Sequence, residues 1–238
     1  MCTVIFIPAK EGLLFASCRD ENPARQPAAS PLCLEGFSGQ MIYPVDKAGG
    51  TWAGLHDLGH VIILLNGAFK DHTKKNNYNK SRGLIVTQLM DSEDPVFQWV
   101  AIDLDNIEPF TLVMLCNGKL YETRWDGYKK YSEIKNISQP HIWSSATLYN
   151  EAAQKMRLRW FEKGKEKISS ASELYNFLNA HQQAQNGFVM KRNGLIQTLS
   201  ISLLQHKAGM AQYIFYDLLN KKQTQISVKL TSKKALCR

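Results

Sequence analysis

The chain has 238 residues, of which 44% are hydrophobic and 21% charged, with a formal net charge of +8. That length and composition suit a soluble globular protein with a sizeable core, and the longest unbroken apolar run, Val61-Ile62-Ile63-Leu64-Leu65, falls far short of the roughly 18 residues of a membrane span. The lysines form separate clusters, Lys70 to Lys80, Lys129-Lys130, Lys163 to Lys167, Lys221-Lys222 and Lys233-Lys234, with no reading motif or row of stacking aromatics, so no nucleic-acid partner is expected and the charge favours solubility and attraction for an anionic substrate or surface.

The first segment carries the most chemistry. Met1-Cys2-Thr3 leads directly into the strand-like Val4-Ile5-Phe6-Ile7. Methionine aminopeptidases remove Met1 when the next side chain is small, and the new first residue would hold a thiol and a free α-amine together. Such an amine titrates near pH 7.7–8.0, against about 10.4 for a lysine. Nucleophile and base on one residue suit acyl transfer; a plain small residue after the start codon is the other reading. Gly12 to Asn22 reads as a second strand ending in Arg19-Asp20-Glu21, and the Pro8 to Gly12 connection makes the two a hairpin. Arg19 and Asp20 then lie near the chain start, where a cation lowers a thiol's pKa. A surface salt bridge at a strand end fits the same spacing.

Residues 22–40 carry Pro23, Pro27 and Pro31 and read as an irregular loop. Thr51 to Leu55 and Val61 to Leu65 read as strands joined by a turn at Asp57-Leu58-Gly59. His56-Asp57-Leu58-Gly59-His60 has the outline of a zinc motif, but that motif needs a helix to bring both imidazoles to one site. No metal site is therefore expected. The polar stretch Lys70 to Lys80 reads as a solvated loop, or as a rim over a site that helps select a carboxylate-bearing ligand.

Two short helices are expected at Ser81 to Met90 and Pro95 to Ile102. Phe110 to Cys116 and Lys119 to Trp125, separated by Asn117-Gly118, give the clearest hairpin signal in the chain. A turn follows at Trp125-Asp126-Gly127-Tyr128. Asn150 to Glu166 is helical in pattern, with Met156, Trp160 and Phe161 on the core-facing side. Ser170-Ala171-Ser172-Glu173 fits a capping box, opening a helix with Leu174, Phe177 and Leu178 inward. Gly194–Gln205, Ala211–Asp217 and Gln223–Leu230 alternate as strands. No linker or repeat divides the chain, so one domain over residues 1–238 is expected, with strands and helices in separate blocks as in α+β layering.

Five cysteines, Cys2, Cys18, Cys33, Cys116 and Cys237, are odd in number and widely spaced. That pattern points to a reducing compartment rather than a disulfide framework. With no secretory signal pattern at the start, the expected location is cytoplasmic.

Several blocks together resemble a known family. The opening MCTVIFIP, then FASCRDENPARQP, resembles the NRDE family, named for an Asn-Arg-Asp-Glu motif, which includes the transport-and-Golgi-organisation-two-like proteins. Arg19-Asp20-Glu21 match the motif, Arg25 fits the arginine that often follows it, and Cys18 stands at the Asn position. Gly49-Gly50-Thr51-Trp52-Ala53-Gly54, Leu64-Leu65-Asn66-Gly67, Ser81-Arg82-Gly83, Trp143 to Tyr149 and Thr198-Leu199-Ser200 follow in the family's order.

That family is similar to N-terminal-nucleophile hydrolases of the choloylglycine hydrolase and penicillin V acylase group. The resemblance implies a four-layer αββα sandwich and a processed N-terminal cysteine that attacks an amide of a small molecule. It assigns Cys2 as nucleophile, Asp20 as holder of the α-amine, Asn66 as oxyanion donor and Arg19 as the supplier of positive charge. Trp52, Arg82 and Ser145 fall to substrate binding, although Ser145 stands where those hydrolases have an asparagine. No cofactor is implied. The competing reading is a ligand, haem or lipid handling protein that keeps the fold without the chemistry, with Cys2 and Cys18 as a thiol pair for haem iron.

Overall fold

The computed structural model describes residues 2–10, 12–24, 29–192 and 195–231. The chain starts as the hairpin β1 (Cys2–Ala9) and β2 (Gly12–Glu21). Then come β3 (Leu32–Glu35), β4 (Gln40–Tyr43), β5 (Ala53–His56) and β6 (Val61–Asn66). Helices α1 (Arg82–Met90) and α2 (Pro95–Ala101) precede β7 (Phe110–Cys116), β8 (Lys119–Trp125), β9 (Lys130–Lys135) and β10 (His141–Ser144). After α3 (Glu151–Gly164) and α4 (Ala171–Ala180), the chain ends in β11 (Lys191–Arg192), β12 (Ile196–Lys207), β13 (Met210–Asp217) and β14 (Lys222–Lys229).

These strands form two antiparallel sheets. One runs β3 to β9 in chain order. The other has the order β10-β1-β2-β12-β13-β14, with β11 beside β12. The hairpin that opens the chain therefore lies inside its sheet, between strands from the second half of the sequence.

Alternation in β1 and β2 sets the layers, because successive side chains point to opposite faces. Cys2, Val4, Phe6 and Phe15 join the large core shared with β4 to β8 and with Ile85, Val86, Leu89 and Trp99 of α1 and α2. Ile5, Ile7, Leu14, Ala16 and Cys18 turn the other way, onto Phe161, Leu174, Phe177 and Leu178 of α3 and α4. Helices thus cover the outer face of each sheet, and the sheets pack on each other: the αββα sandwich.

The expected hairpins are present, including β7–β8 across Asn117-Gly118 with both turn residues at positive φ. Ser81, Asn150 and Ser170 cap α1, α3 and α4 by accepting from Leu84, Ala153 and Glu173 N–H groups. Glu173 completes its box one residue early, accepting from the Ser169 N–H at 2.8 Å. Asp57-Leu58-Gly59 forms the turn between β5 and β6, as the hairpin reading required. No group of three or more His, Cys, Asp or Glu able to hold a metal occurs among the described residues.

Three expectations need correction. The irregular loop over residues 22–40 contains β3 and the start of β4, because strand pairing overrides its proline-rich composition. Strands β9 and β10 went unforeseen. The buried face of α3 is Ala153, Arg157 and Phe161; an arginine replaces Met156 on it. Asn193 and Gly194, at the expected start of the first late strand, Arg25 and Cys237 lie outside the described residues. No helix among the described residues is long and apolar enough to cross a membrane.

Candidate active site

A cavity of about 360 Å³ opens where the two sheets meet at the start of β1. Its walls include Cys2, Arg19, Trp52, Asn66 and Arg82. Five of the seven residues singled out from the sequence therefore share one cleft, although they come from β1, β2, the segment before β5, the end of β6 and the start of α1.

Local packing holds each in place. Cys2 pairs with Arg19 across the β1–β2 ladder, and the Arg19 guanidinium lies 4.3 Å from the centre of the Trp52 ring. Trp52 is presented by a loop pressed against the first turn of α1: Thr51 N–H donates to Gly83 O at 3.2 Å. A side chain at Gly50 would stand 2.4 Å from the Gly83 carbonyl carbon, so the GGTW and SRG blocks are small where they touch. Arg82 reaches Glu108 at 3.1 Å and donates to Pro109 O. Asn66 ends β6, and Gly67 after it has φ of +80° with Thr147 and Ala146 crowding the place of a Cβ.

Ser145 stands behind this wall and does not line the cavity. Its N–H donates to the Cys2 carbonyl at 3.0 Å, and its hydroxyl donates to the Asn66 carbonyl at 2.8 Å. One buried serine thus ties the backbone of the thiol residue to the backbone of the amide residue. Its place in the structure is that of a brace, not of a group open to a ligand.

Asp20 is also outside the cavity, on the opposite face of β2 from Arg19. It is fully buried, and its carboxylate accepts from the Thr198 hydroxyl at 2.6 Å and from the Tyr149 hydroxyl. A β-bulge makes this possible. Thr198 pairs with Asp20 and Ser200 with Arg19, so the register shifts by one residue at Leu199. The extra residue lets Thr198 and Ser200, two apart in the chain, serve opposite faces; bulges re-aim side chains in this way.

Arg157 completes the rear cluster. It is wholly buried, lies 3.6 Å over the Tyr149 ring, donates to Asn186 O at 3.0 Å, and bonds Gly187 O and the Thr3 hydroxyl. Arg157 was not singled out by sequence reasoning, since a charged residue within a helix reads as solvent-facing, and Tyr149 entered only as the last residue of the Trp143 to Tyr149 block. The one available signal was the three-to-four-residue spacing of Ala153, Arg157 and Phe161.

The electrostatics of the two faces differ. Burial pushes the Cys2 thiol above its ordinary value and Asp20 adds to this, while Arg19 and the Ser17 hydroxyl pull it down. Cys18 is raised further, by burial and then by Asp20. Cys18 packs on the helix-facing side and Cys2 on the sheet-facing side, so the two side chains lie on opposite faces of the hairpin.

Solved structures share this fold at low sequence identity. A cysteine-to-alanine mutant of conjugated bile acid hydrolase from Clostridium perfringens superposes with a TM-score of 0.57 at 11% identity, over 95% of this chain and 92% of that one. Penicillin V acylase from Agrobacterium tumefaciens gives 0.54 at 12% identity, over 95% and 86%. Among curated proteins, none matches the sequence. The family model for Transport and Golgi organisation 2 matches residues 1–233, and the chain belongs to that family.

Proposed function

We propose that the protein is an amidohydrolase whose nucleophile is the thiol of Cys2, acting with its own α-amine once Met1 is removed. The observation that carries this reading is the convergence of Cys2, Arg19 and Asn66 on one open cleft. Burial favours the neutral thiol, so attack needs a base, and a free α-amine is a base that titrates near neutrality.

In this mechanism the amine takes the thiol proton, directly or through a water. Sulfur attacks the amide carbon, and the side-chain N–H of Asn66 stabilises the oxyanion, a contribution of about 2.7–4 kcal/mol per donor in known cases. The amine returns the proton to the leaving nitrogen as the C–N bond breaks, leaving a thioester on Cys2. Water then adds to that thioester, releasing a carboxylic acid and restoring the thiol. Arg19 supplies positive charge beside the sulfur. Asp20, which follows Arg19 on β2, is the positioning group for the amine in this reading. Trp52 and Arg82 contact substrate, and Ser145 holds Cys2 and Asn66 at a fixed separation. The fold shared with bile acid hydrolase and penicillin V acylase supports the reaction class at the level of architecture.

Intact mass of the purified protein tests the first requirement: loss of Met1. A screen of N-acyl amides with a Cys2→Ala control tests the second. Retention of Met1, or equal turnover by the control, defeats the reading.

A further inference from the structure

The charges around the Cys2 cavity are not balanced locally. Arg19, Lys74, Lys75, Lys80 and Arg82 line it together with Glu21, Asp46 and Glu108. Glu108 is taken by Arg82 and His72, and Asp46 accepts the N–H groups of Ala48 and Gly50. The side chains of Lys74, Lys75 and Lys80 make no ion pair or hydrogen bond among the described residues.

The segment that carries these lysines is fastened over the opening. His72 Nε2 lies 3.3 Å from Glu108 Oε1. At the other end, Asn79 N–H donates to Asn106 O at 3.0 Å, and the Asn106 side chain donates to Asn77 O at 2.9 Å. Between them, Lys75 N–H donates to the Tyr78 hydroxyl at 3.0 Å. Three unpaired cations are thus held on the rim of a cleft that has cations of its own on the walls. Clefts lined by one sign of charge concentrate ligands of the other sign. The large side chains with apolar surface on the walls are Trp52, Leu64 and Tyr78, too few for a long acyl chain.

Resting on the reading of Cys2 as nucleophile, we infer that the cleft selects a small polar amide bearing an oxyanion group, such as a carboxylate, which Lys74, Lys75 and Lys80 hold while the amide carbonyl reaches Cys2.

Paired alkylating reagents test this without a known substrate. Iodoacetate and iodoacetamide deliver the same bond to sulfur and differ in charge. Labelling of Cys2 and of exposed Cys33 is followed by mass spectrometry. The preference of Cys2 for iodoacetate is expected to exceed that of Cys33 by about ten-fold. It is expected to fall several-fold in Lys74→Gln/Lys75→Gln/Lys80→Gln, with Arg19 and Arg82 keeping the remainder, and to shrink as salt shortens the Debye length. A preference equal to that of Cys33, or one left undiminished by the triple replacement, overturns the inference and leaves the nucleophile standing.

Inertness of Cys2 toward both reagents defeats the hydrolase reading instead. The rim is then decided by acetylating lysines with a neutral succinimidyl ester in the presence of N-acetylglycine, inorganic phosphate or N-acetylglycinamide. Slower acetylation of Lys74, Lys75 and Lys80 relative to Lys129 and Lys222, with either anion and not with the neutral amide, supports the oxyanion site. Equal rates overturn it.

Discussion

The hairpin of β1 and β2 has two polar faces, and they are built on opposite principles. In front, Cys2 and Arg19 border a cavity open to solvent and ringed by lysines. Behind, Thr3 and Asp20 are sealed with Tyr149, Arg157 and Thr198, and each charge there is met by hydroxyls, carbonyls or a ring face. Adjacent residues of the same strands supply both sides. The front sets buried side chains at the wall of a cavity; the back uses buried hydrogen bonds to hold the front still. Buried polar clusters of this kind specify a geometry only when every member is satisfied.

The sharpest test of the division removes the thiol. Cys2→Ala is expected to lower turnover of an amide substrate by about 10³-fold or more at a stability cost of only about 1 kcal/mol, because the lost sulfur is a single buried atom at the cavity wall. A large drop in stability would show that the front face is structural too. The rear predicts the reverse. Arg157→Met leaves Thr3, two carbonyls and the Asp20 carboxyl without their cation, and is expected to cost about 3–5 kcal/mol of stability in urea denaturation.

Asn66→Ala comes next, with an expected loss of about 10²–10³ in kcat and a KM that moves little. An effect confined to KM would make Asn66 a substrate contact instead of an oxyanion donor. Asp20→Asn probes the rear through pH. Burial raises the Asp20 carboxyl above its ordinary value, with Arg157 opposing. A raised carboxyl contributes stability that is complete below the unfolded pKa of about 3.9 and is lost as pH climbs through the folded value. The native chain should therefore lose stability relative to Asp20→Asn as pH rises above that region. A change of the opposite sign in a series of denaturation curves would mean that the ionised form is the one the cluster favours. Smallest is Ser145→Ala, which leaves the Asn66 carbonyl without its donor and should cost about 1–3 kcal/mol, with kcat falling more than KM rises.

Local signals in the sequence were readable where partners are near. Asn117-Gly118 announces β7–β8, and Ser170 with Glu173 announces α4, because turn and cap chemistry depends on a few neighbouring residues. Strand β9 was hidden by its composition: Lys130-Tyr131-Ser132-Glu133-Ile134-Lys135 lies at a sheet edge and is largely exposed, so it lacks the apolar alternation of a core strand. Strand β10 was hidden by distance, since its pairing partner is β1. At the site, the hairpin reading brought Arg19 beside Cys2, whereas the addition of Asn66 came from resemblance to a family, not from spacing. The register shift at Leu199 and the inward turn of Arg157 arise from tertiary pairing, and no local pattern carries them.

The order of strands has a bearing on how the molecule is made. The sheet from β3 to β9 is contiguous in the chain, so each of its strands pairs with the next one in sequence. The other sheet must wait: β1 and β2 stay without flanking strands until β10 and β12 have been synthesised. Pairings so remote in sequence close late. The described walls of the Cys2 cavity all lie between Cys2 and Glu108, so what arrives late is the backing: a truncated product ending before β12 would hold every wall residue and lack Thr198 and the strand behind β2.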